Sequence, residues 1–317
     1  MTAAYTQYIL HFKRPGGTSR GVLHTKESWF IRITDGEKNG IGECGLLRGL
    51  SADDRLDYKA KLREVCQNID LGLERLYKDT LEFPSIQFGL EMAFRDLESE
   101  HHILFPSAFT NGEIGQPING LIWMGEEAFM KEQVRERLDA GFSVLKMKIR
   151  AIDLETELAI LKSLRKSFSP EILQLRVDAN GAFSENETYQ VLKELAALKV
   201  HSIEQPVKAG QIETMTRLCK DPDIPIALDE ELIGLFSEKE REEVISTIKP
   251  QYIILKPSFV GGFCGSESWI KLARKYNAGW WVTSALESNV GLNAIAQWNY
   301  LQQNNTPSGL GTGSLYT

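Results

Sequence analysis

Six polar side chains recur at nearly even intervals along the second half of this 317-residue chain. Lys148, Asp178, Glu204, Asp229, Lys256 and Ser284 are separated by 30, 26, 25, 27 and 28 residues. The three carboxylates each end or follow a short apolar run: Asp178 in LQLRVDAN, Glu204 in HSIEQP and Asp229 in IPIALDEE. One acid after a strand is most simply a helix N-cap or a solvated loop residue. Three in register mean more, because like charges held close together repel unless a cation neutralises them. The set is all oxygen, with no His or Cys, and suits a hard divalent ion: Mg2+, with Mn2+ as its substitute, leaving positions open for water and substrate.

The lysines follow a similar logic. In VLKMKI (144–149), Leu145, Met147 and Ile149 share one face and Val144, Lys146 and Lys148 the other. In isolation such a pattern reads as a solvated edge strand. Apolar strands precede and follow it, however, so the lysine face is expected to point inward. Lys256 in YIILKPS likewise shares a face with Ile254. Burial disfavours the ammonium form, so these lysines are expected to have lowered pKa values and to act as bases. Three acids on a divalent ion beside two lysines fit the removal of a proton α to a carboxylate. The ion stabilises the enediolate while a lysine takes the proton.

Such residues need a frame that brings distant positions to one rim. Beyond the turn-rich TNGEIGQ (110–116), short apolar strands alternate with amphipathic helical stretches, the pattern of a parallel sheet. Strands are expected at 118–124, 144–149, 173–178, 201–204, 225–229, 252–256, 280–285 and 308–313. Eight strands and the even spacing point to a closed barrel whose strand C-termini supply the site. A doubly wound open sheet is the runner-up, but no G-x-G-x-x-G follows a first strand. Before residue 110 the texture is α+β. Strands are expected at Tyr5 to Lys13, Ser28 to Thr34 and Gly40 to Cys44, with turns at PGGTSRG (15–21) and DGEKNG (35–40). A helical region from Ala52 to about Glu100 buries Ile86, Leu90, Ala93, Phe94 and Leu97.

With 42% hydrophobic residues the chain can bury one large core and a smaller satellite, and its net charge of −7 argues against a nucleic-acid partner. A small-molecule carboxylate substrate is the expected partner. Cys44, Cys66, Cys219 and Cys264 form no C-x-x-C pair and read as core thiols of a reducing compartment. No signal peptide and no apolar run of about 20 residues is present, so a soluble cytoplasmic protein without membrane contact is expected. Nothing in the pattern fixes an oligomeric state.

KMK (146–148), DAN (178–180), EQP (204–206), DE (229–230) and LKPS (255–258) resemble, in order and spacing, the motifs of the enolase superfamily in the branch of muconate lactonizing enzyme. Enolase-superfamily sites are themselves a standard instance of a Lys base working with Mg2+. The resemblance, which takes in GIGEC (41–45), implies a modified TIM barrel, (β/α)7β, at residues 113–317 under an N-terminal α+β capping domain at 1–112. It implies that Asp178, Glu204 and Asp229 bind the metal and that Lys148 and Lys256 are catalytic. It assigns substrate contacts to Lys146, Arg176, Asn180, Ser284, Glu287, Ser288 and Gly311. SALESNVGL (284–292) and GLGTG (309–313) are similar to the members that make 2-succinylbenzoate for menaquinone. These lyases dehydrate 2-succinyl-6-hydroxy-2,4-cyclohexadiene-1-carboxylate by syn elimination. There Lys148 would take the α-proton and hand it to the departing hydroxyl, Lys256 would stabilise the enediolate from the other ring face, and Lys146 would help bind the carboxylate.

Loops 15–21 and 44–51 are expected to close over the succinyl arm, ordinary hairpin turns being the alternative for the first. The chain ends at GTGSLYT (311–317), where family members run on and return a tail to the cap, so a less completed cap is expected unless the tail lies outside this sequence. The rival readings are an N-acylamino acid racemase or dipeptide epimerase of the same branch, a non-catalytic dicarboxylate-binding barrel, and a Schiff-base lyase. Dipeptide epimerases carry Asp-x-Asp at the eighth strand, where this chain has glycines.

Overall fold

The computed structural model describes residues 1–18, 21–123, 125–150 and 153–317. The chain opens with a long antiparallel hairpin, β1 (Thr2–Thr18) and β2 (Gly21–Asp35), extended by β3 (Lys38–Cys44). The expected stop at Lys13 does not occur. Pairing shifts register between His11 and Gly16 and resumes with Gly16 opposite Leu23 and Thr18 opposite Gly21. Pro15, which has no N–H to donate, falls inside that irregularity and costs no ladder bond. Ser19 and Arg20, part of the expected loop at 15–21, lie outside the described residues, as does Met124 at the end of the expected strand 118–124.

Helices α1 (Tyr58–Gln67), α2 (Gly72–Asp79) and α3 (Pro84–Leu97) complete the first unit. Its core includes Ile31, Ile33, Leu62, Ile86, Leu90, Ala93 and Leu97, with Phe94 half-buried against it. The glycines of GIGEC have a packing reason. A Cβ at Gly42 would lie 1.9 Å from the Gly89 carbonyl and one at Gly40 2.1 Å from that of Ala93. Helix α3 therefore rests directly on β3, and a side chain at either position would lift it away.

The second unit alternates strand and helix: β4 (Gly120–Ile122), α4 (Glu127–Asp139), β5 (Val144–Lys148), α5 (Leu154–Ser167), β6 (Gln174–Asp178), α6 (Glu185–Ala197), β7 (Ser202–Glu204), α7 (Ile212–Lys220), β8 (Ile226–Leu228), α8 (Glu238–Ile248), β9 (Tyr252–Leu255), a short α9 (Pro257–Val260), α10 (Gly262–Lys275), β10 (Gly279–Val282) and α11 (Asn289–Leu301). The seven strands run parallel in sequence order. Local signals start several helices: Ser184 with Glu187 and Ser237 with Glu240 form capping boxes on α6 and α8, and Asp153 caps α5.

The expected eighth strand at 308–313 shrinks to two parallel bridges, Ile118 to Ser308 and Thr283 to Gly309. Ser308 N donates to Pro117 O, Asn119 N to Ser308 O, Gly309 N to Val282 O and Ser284 N to Gly309 O. These four bonds join the β10 edge to the β4 edge. Pro307 lacks a donor, and glycines at 309, 311 and 313 offer no side chain to pack, so the strand cannot lengthen.

The last residues correct another expectation. Lys13 N donates to Leu315 O at 2.8 Å, Thr317 N to His11 O at 3.0 Å, and the Tyr316 ring lies 4.8 Å from that of Phe12. The GTGSLYT segment thus itself returns to β1.

Two carboxylates of the first unit dock it on the second. Glu43, fully buried at the end of β3, accepts from Ser28 Oγ at 2.7 Å, from Ser288 Oγ at 2.6 Å, and from Ser288 N and Gly291 N at 3.0 Å each. Lys26 Nζ lies 3.7 Å away. Ser288 caps α11, so Glu43 sits on that helix's N-terminus, where the unpaired N–H groups favour an anion. Glu91 of α3 does the same at α10, accepting from Phe263 N and Cys264 N. No helix among the described residues is long and apolar enough to cross a membrane.

Replacing Glu43 by Ala leaves Lys26 and four donors uncompensated, and is expected to lower stability by about 3–5 kcal/mol in urea unfolding. Burial pushes the Glu91 carboxyl up to about 7. A raised acid binds a proton in the folded state that the unfolded chain has released, so its stabilisation is full below pH 4.5 and lost as pH rises through 7. The unfolding free energy from urea titrations should therefore fall by up to about 3 kcal/mol over that window, and Glu91→Gln should flatten the fall.

Candidate active site

The parallel register brings the acids and lysines together. Lys148 is paired with Asp178 across β5 and β6, and Asp178 with Glu204 across β6 and β7. Asp229 and Lys256 follow β8 and β9 directly. Asp178, Glu204 and Asp229 are 1–2% exposed and Lys146 7%. Lys146 Nζ bridges Asp178 Oδ2 at 2.9 Å and Glu204 Oε2 at 2.6 Å. Lys148 Nζ lies 3.2 Å from Asp178 Oδ2 and donates to Asn180 Oδ1, while Lys256 Nζ donates to Asp229 Oδ2.

These ion pairs overturn the expected lowering for Lys146 and Lys256. Burial does pull Lys146 and Lys256 down, but their carboxylate neighbours more than offset it, Asp178 and Glu204 beside Lys146 and Asp229 beside Lys256, and both are raised. Asp178 shows the converse: burial raises it, but Lys146 and Lys148 hold it well below the usual range. Glu204 is pushed up to about 8 by burial and then by the charge of Asp178. Glu230, whose Oε1 accepts from Asn180 Nδ2 at 3.0 Å, is pushed up to about 7 by burial and by Asp229. Glu204 thus stays poorly compensated in spite of the bridge from Lys146.

Among the described residues no group of three acids, His or Cys is gathered around one point ready for an ion. Ammonium groups occupy the space between the carboxylates instead. The donors nonetheless fit a hard cation: three buried carboxylates end adjacent strands, and Glu204 Oε1 has no hydrogen-bond partner. Gln205 fixes the third, its Oε1 accepting from Asp229 N at 3.1 Å and from Glu231 N at 3.3 Å. Sequence reasoning passed over Gln205, although it is the middle residue of EQP.

A cavity opens above this layer. Lys146, Lys148, Asp178, Asn180, Lys256, Ser284, Gly311 and Thr312 all line it, Lys148 and Lys256 from the ends of β5 and β9, four strands apart in the ring. Leu47 and Leu50, from the expected closing loop 44–51, reach into it from the cap. The inward positions of β4 and its flanks, Asn119, Leu121 and Trp123, also line it. The alternation in INGLIW could have revealed them, but they bear no charge to attract notice.

Three expected substrate contacts lie elsewhere. Arg176 is one layer deeper, its guanidinium 4.3 Å from the Trp281 ring centre and Nη1 donating to Pro307 O at 2.8 Å. Burial pulls it down to about 10. The side chain reaches across the interior from β6 to Trp281 of β10 and to Pro307, which sequence parity alone does not reveal. Glu287 is turned to Ser258 Oγ and to Ala285 N, the latter at 2.6 Å. Ser288 is committed to Glu43. Neither lines the cavity: Glu287 is held by Ser258 and Ala285 within the barrel unit, and Ser288 is taken by Glu43 of the cap.

Two family models match the chain: Enolase C-terminal domain-like over residues 129–310, and MenC, N-terminal domain over residues 5–97. It is 46% identical to the o-succinylbenzoate synthase of Desulfotalea psychrophila, with 100% of this chain and 95% of that protein covered. The crystal structure of MenC from the same organism superimposes with a TM-score of 0.88 at 42% identity, covering 100% of this chain and 95% of that one. The L-Ala-D/L-Glu epimerase of Bacillus subtilis shares the fold, with a TM-score of 0.84 at 21% identity over 100% and 91% of the two chains. The chain belongs to the enolase superfamily and, within it, to the o-succinylbenzoate synthase family.

Proposed function

We propose that this chain dehydrates 2-succinyl-6-hydroxy-2,4-cyclohexadiene-1-carboxylate to 2-succinylbenzoate, a step of menaquinone biosynthesis. The observation that carries the reading is the placement of Lys148 and Lys256 on opposite walls of one cavity, over buried acids at neighbouring strand ends, in a chain 46% identical to an o-succinylbenzoate synthase. All four cysteines are free thiols, which accords with a cytoplasmic enzyme.

Asp178, Glu204 and Asp229 would hold Mg2+, which when bound supplies positive charge to the substrate carboxylate as its α-proton leaves. With those carboxylates so engaged, the lysines lose their anionic partners, and burial then favours the neutral amine that a base requires. Lys148 Nζ takes the proton from the carbon α to the ring carboxylate. The electron pair left behind forms the new ring double bond as the C–O bond breaks, and Lys148 returns the proton to the departing hydroxyl. Water leaves and the ring is aromatic. Lys256 faces the other side of the ring and opposes the growing negative charge, and Lys146 adds its charge at the carboxylate end. Leu47 and Leu50 exclude water from above.

Two lysines on opposite walls also permit proton exchange at one carbon, as in an N-acylamino acid racemase or dipeptide epimerase. Deuterium wash-in at the α-carbon of an N-acylamino acid, without dehydratase activity, would install that reading instead.

The direct assay is formation of 2-succinylbenzoate from the cyclohexadiene. Turnover should vanish in EDTA and return with Mg2+, and no aromatic product in either condition would sink the proposal. Lys148→Ala should lower kcat by about 10²–10⁴-fold while 2-succinylbenzoate still binds in calorimetry. Loss of binding together with turnover would point to a dicarboxylate-holding role for Lys148.

A further inference from the structure

Lys256 stands one residue beyond β9, and its backbone belongs to the turn into α9: it caps that helix, and its carbonyl accepts from Phe259 N at 2.8 Å. Its reach into the cavity therefore depends on what holds the start of α9. Ser258 is fully buried there, and its Oγ donates to Glu287 Oε1. The other carboxyl oxygen, Oε2, accepts from Ala285 N at 2.6 Å. One side chain thus ties the helix that begins at Lys256 to the turn after β10, whose Ser284, Ala285 and Leu286 line the cavity.

The surroundings leave this tie little freedom. A Cβ at Gly45 would lie 2.4 Å from Ser258 Oγ and 3.2 Å from Glu287 Cγ, so the cap rests on the hydrogen bond itself, two residues before Leu47 enters the cavity. A Cβ at Gly291 would lie 2.8 Å from Glu287 Cβ, so α11 packs just as closely. Between Ala285 and Glu287, Leu286 adopts a φ of 64°, a conformation disfavoured for residues with a Cβ, and Tyr316 Oη fixes its carbonyl at 2.6 Å. Strained backbone persists where its surroundings over-determine it, and such places gather around functional sites. Glu287 is 1% exposed, and burial pushes its carboxyl up. What it offers its neighbours is hydrogen-bond geometry more than charge.

We infer that Glu287 is a positioning residue for Lys256: its two hydrogen bonds hold the start of α9 against the turn after β10 and so fix where the ammonium group meets the substrate. The effect on turnover rests on the dehydratase reading, and the effect on Lys256 rests on geometry alone. Lys256 opposes charge that grows as the α-proton leaves. An error in its position therefore slows the chemical step and leaves ground-state binding to the other groups of the cavity.

Glu287→Met keeps the length of the side chain and removes both bonds. Glu287→Gln keeps both, its Oε1 accepting from Ala285 N and its Nε2 donating to Ser258 Oγ. Ser258→Ala deletes a single hydroxyl and one of the bonds, and carries the comparison if the Met variant does not fold. Glu287→Met and Ser258→Ala should lower kcat by about 10²-fold, the cost of a displacement of about 1 Å, with KM little changed. Glu287→Gln should turn over close to the wild type. Crystal structures of the variants read the positioning without turnover: Lys256 should keep its place in the Gln variant and shift by about 1 Å in the other two. Lys256 unmoved in those two, a Gln variant as slow as the Met variant, or a loss carried by KM instead of kcat would each overturn the inference. A lower Tm with kcat and Lys256 unchanged would overturn it in favour of a structural role. A wild type that forms no 2-succinylbenzoate overturns the dehydratase reading alone, and the crystal structures then decide whether Glu287 positions Lys256.

Discussion

Buried charge must be balanced, and the interior of this barrel is organised around that constraint. Asp178, Glu204 and Asp229 could not be taken out of water as three bare carboxylates. Lys146 bridges two of them, Lys148 shares the first, and Lys256 takes the third. The lysines can reach because parallel pairing sets Lys148 beside Asp178 and Asp178 beside Glu204. The balance is incomplete, since Glu204 is still pushed up to about 8 and one of its oxygens has no partner. An acid left raised by burial, with one oxygen unpaired beside two other carboxylates, suits the site to a cation.

The cap is held by the same principle applied to helix ends. Glu43 and Glu91 each end on the N-terminus of a barrel helix, where free N–H groups need an acceptor. Docking by charge and direction fixes the orientation of the cap as well as its presence, and it is this orientation that puts Leu47 and Leu50 over the cavity. Ser288 belongs to this docking, while Glu287 beside it turns back into the barrel unit. Ser258, one residue beyond Pro257, is drawn in through Glu287.

The barrel is weakest in backbone pairing where it is most open to ligand. Only Ser308 and Gly309 bridge β10 and β4, and the glycines there leave space that longer pairing would fill. Asn119 Oδ1, Thr283 Oγ1 and Trp123 Nε1 beside this gap lack partners, and in the layer below Arg176 lies over Trp281 beside Tyr252. The short closing segment thus leaves a wall lined by neutral polar groups.

What the amino-acid order determined alone was the part governed by period and spacing. The parity of VLKMKI turned Lys146 and Lys148 inward because Leu145, Met147 and Ile149 had to face the helices. The even intervals from Lys148 to Ser284 placed acids and lysines at successive strand ends, because one strand–helix unit has a nearly constant length. Tertiary structure decided what depends on contacts between distant segments. It paired the lysines with the acids and so raised Lys146 and Lys256 where burial alone would lower them. It laid Arg176 against Trp281, turned Glu287 to Ser258 and gave Ser288 to the cap, since a side chain's partner is not written in its own strand. It reduced the eighth strand to two residues and carried the last seven back to β1, because pairing of a glycine-rich segment is set by the edges it meets and not by its own preference.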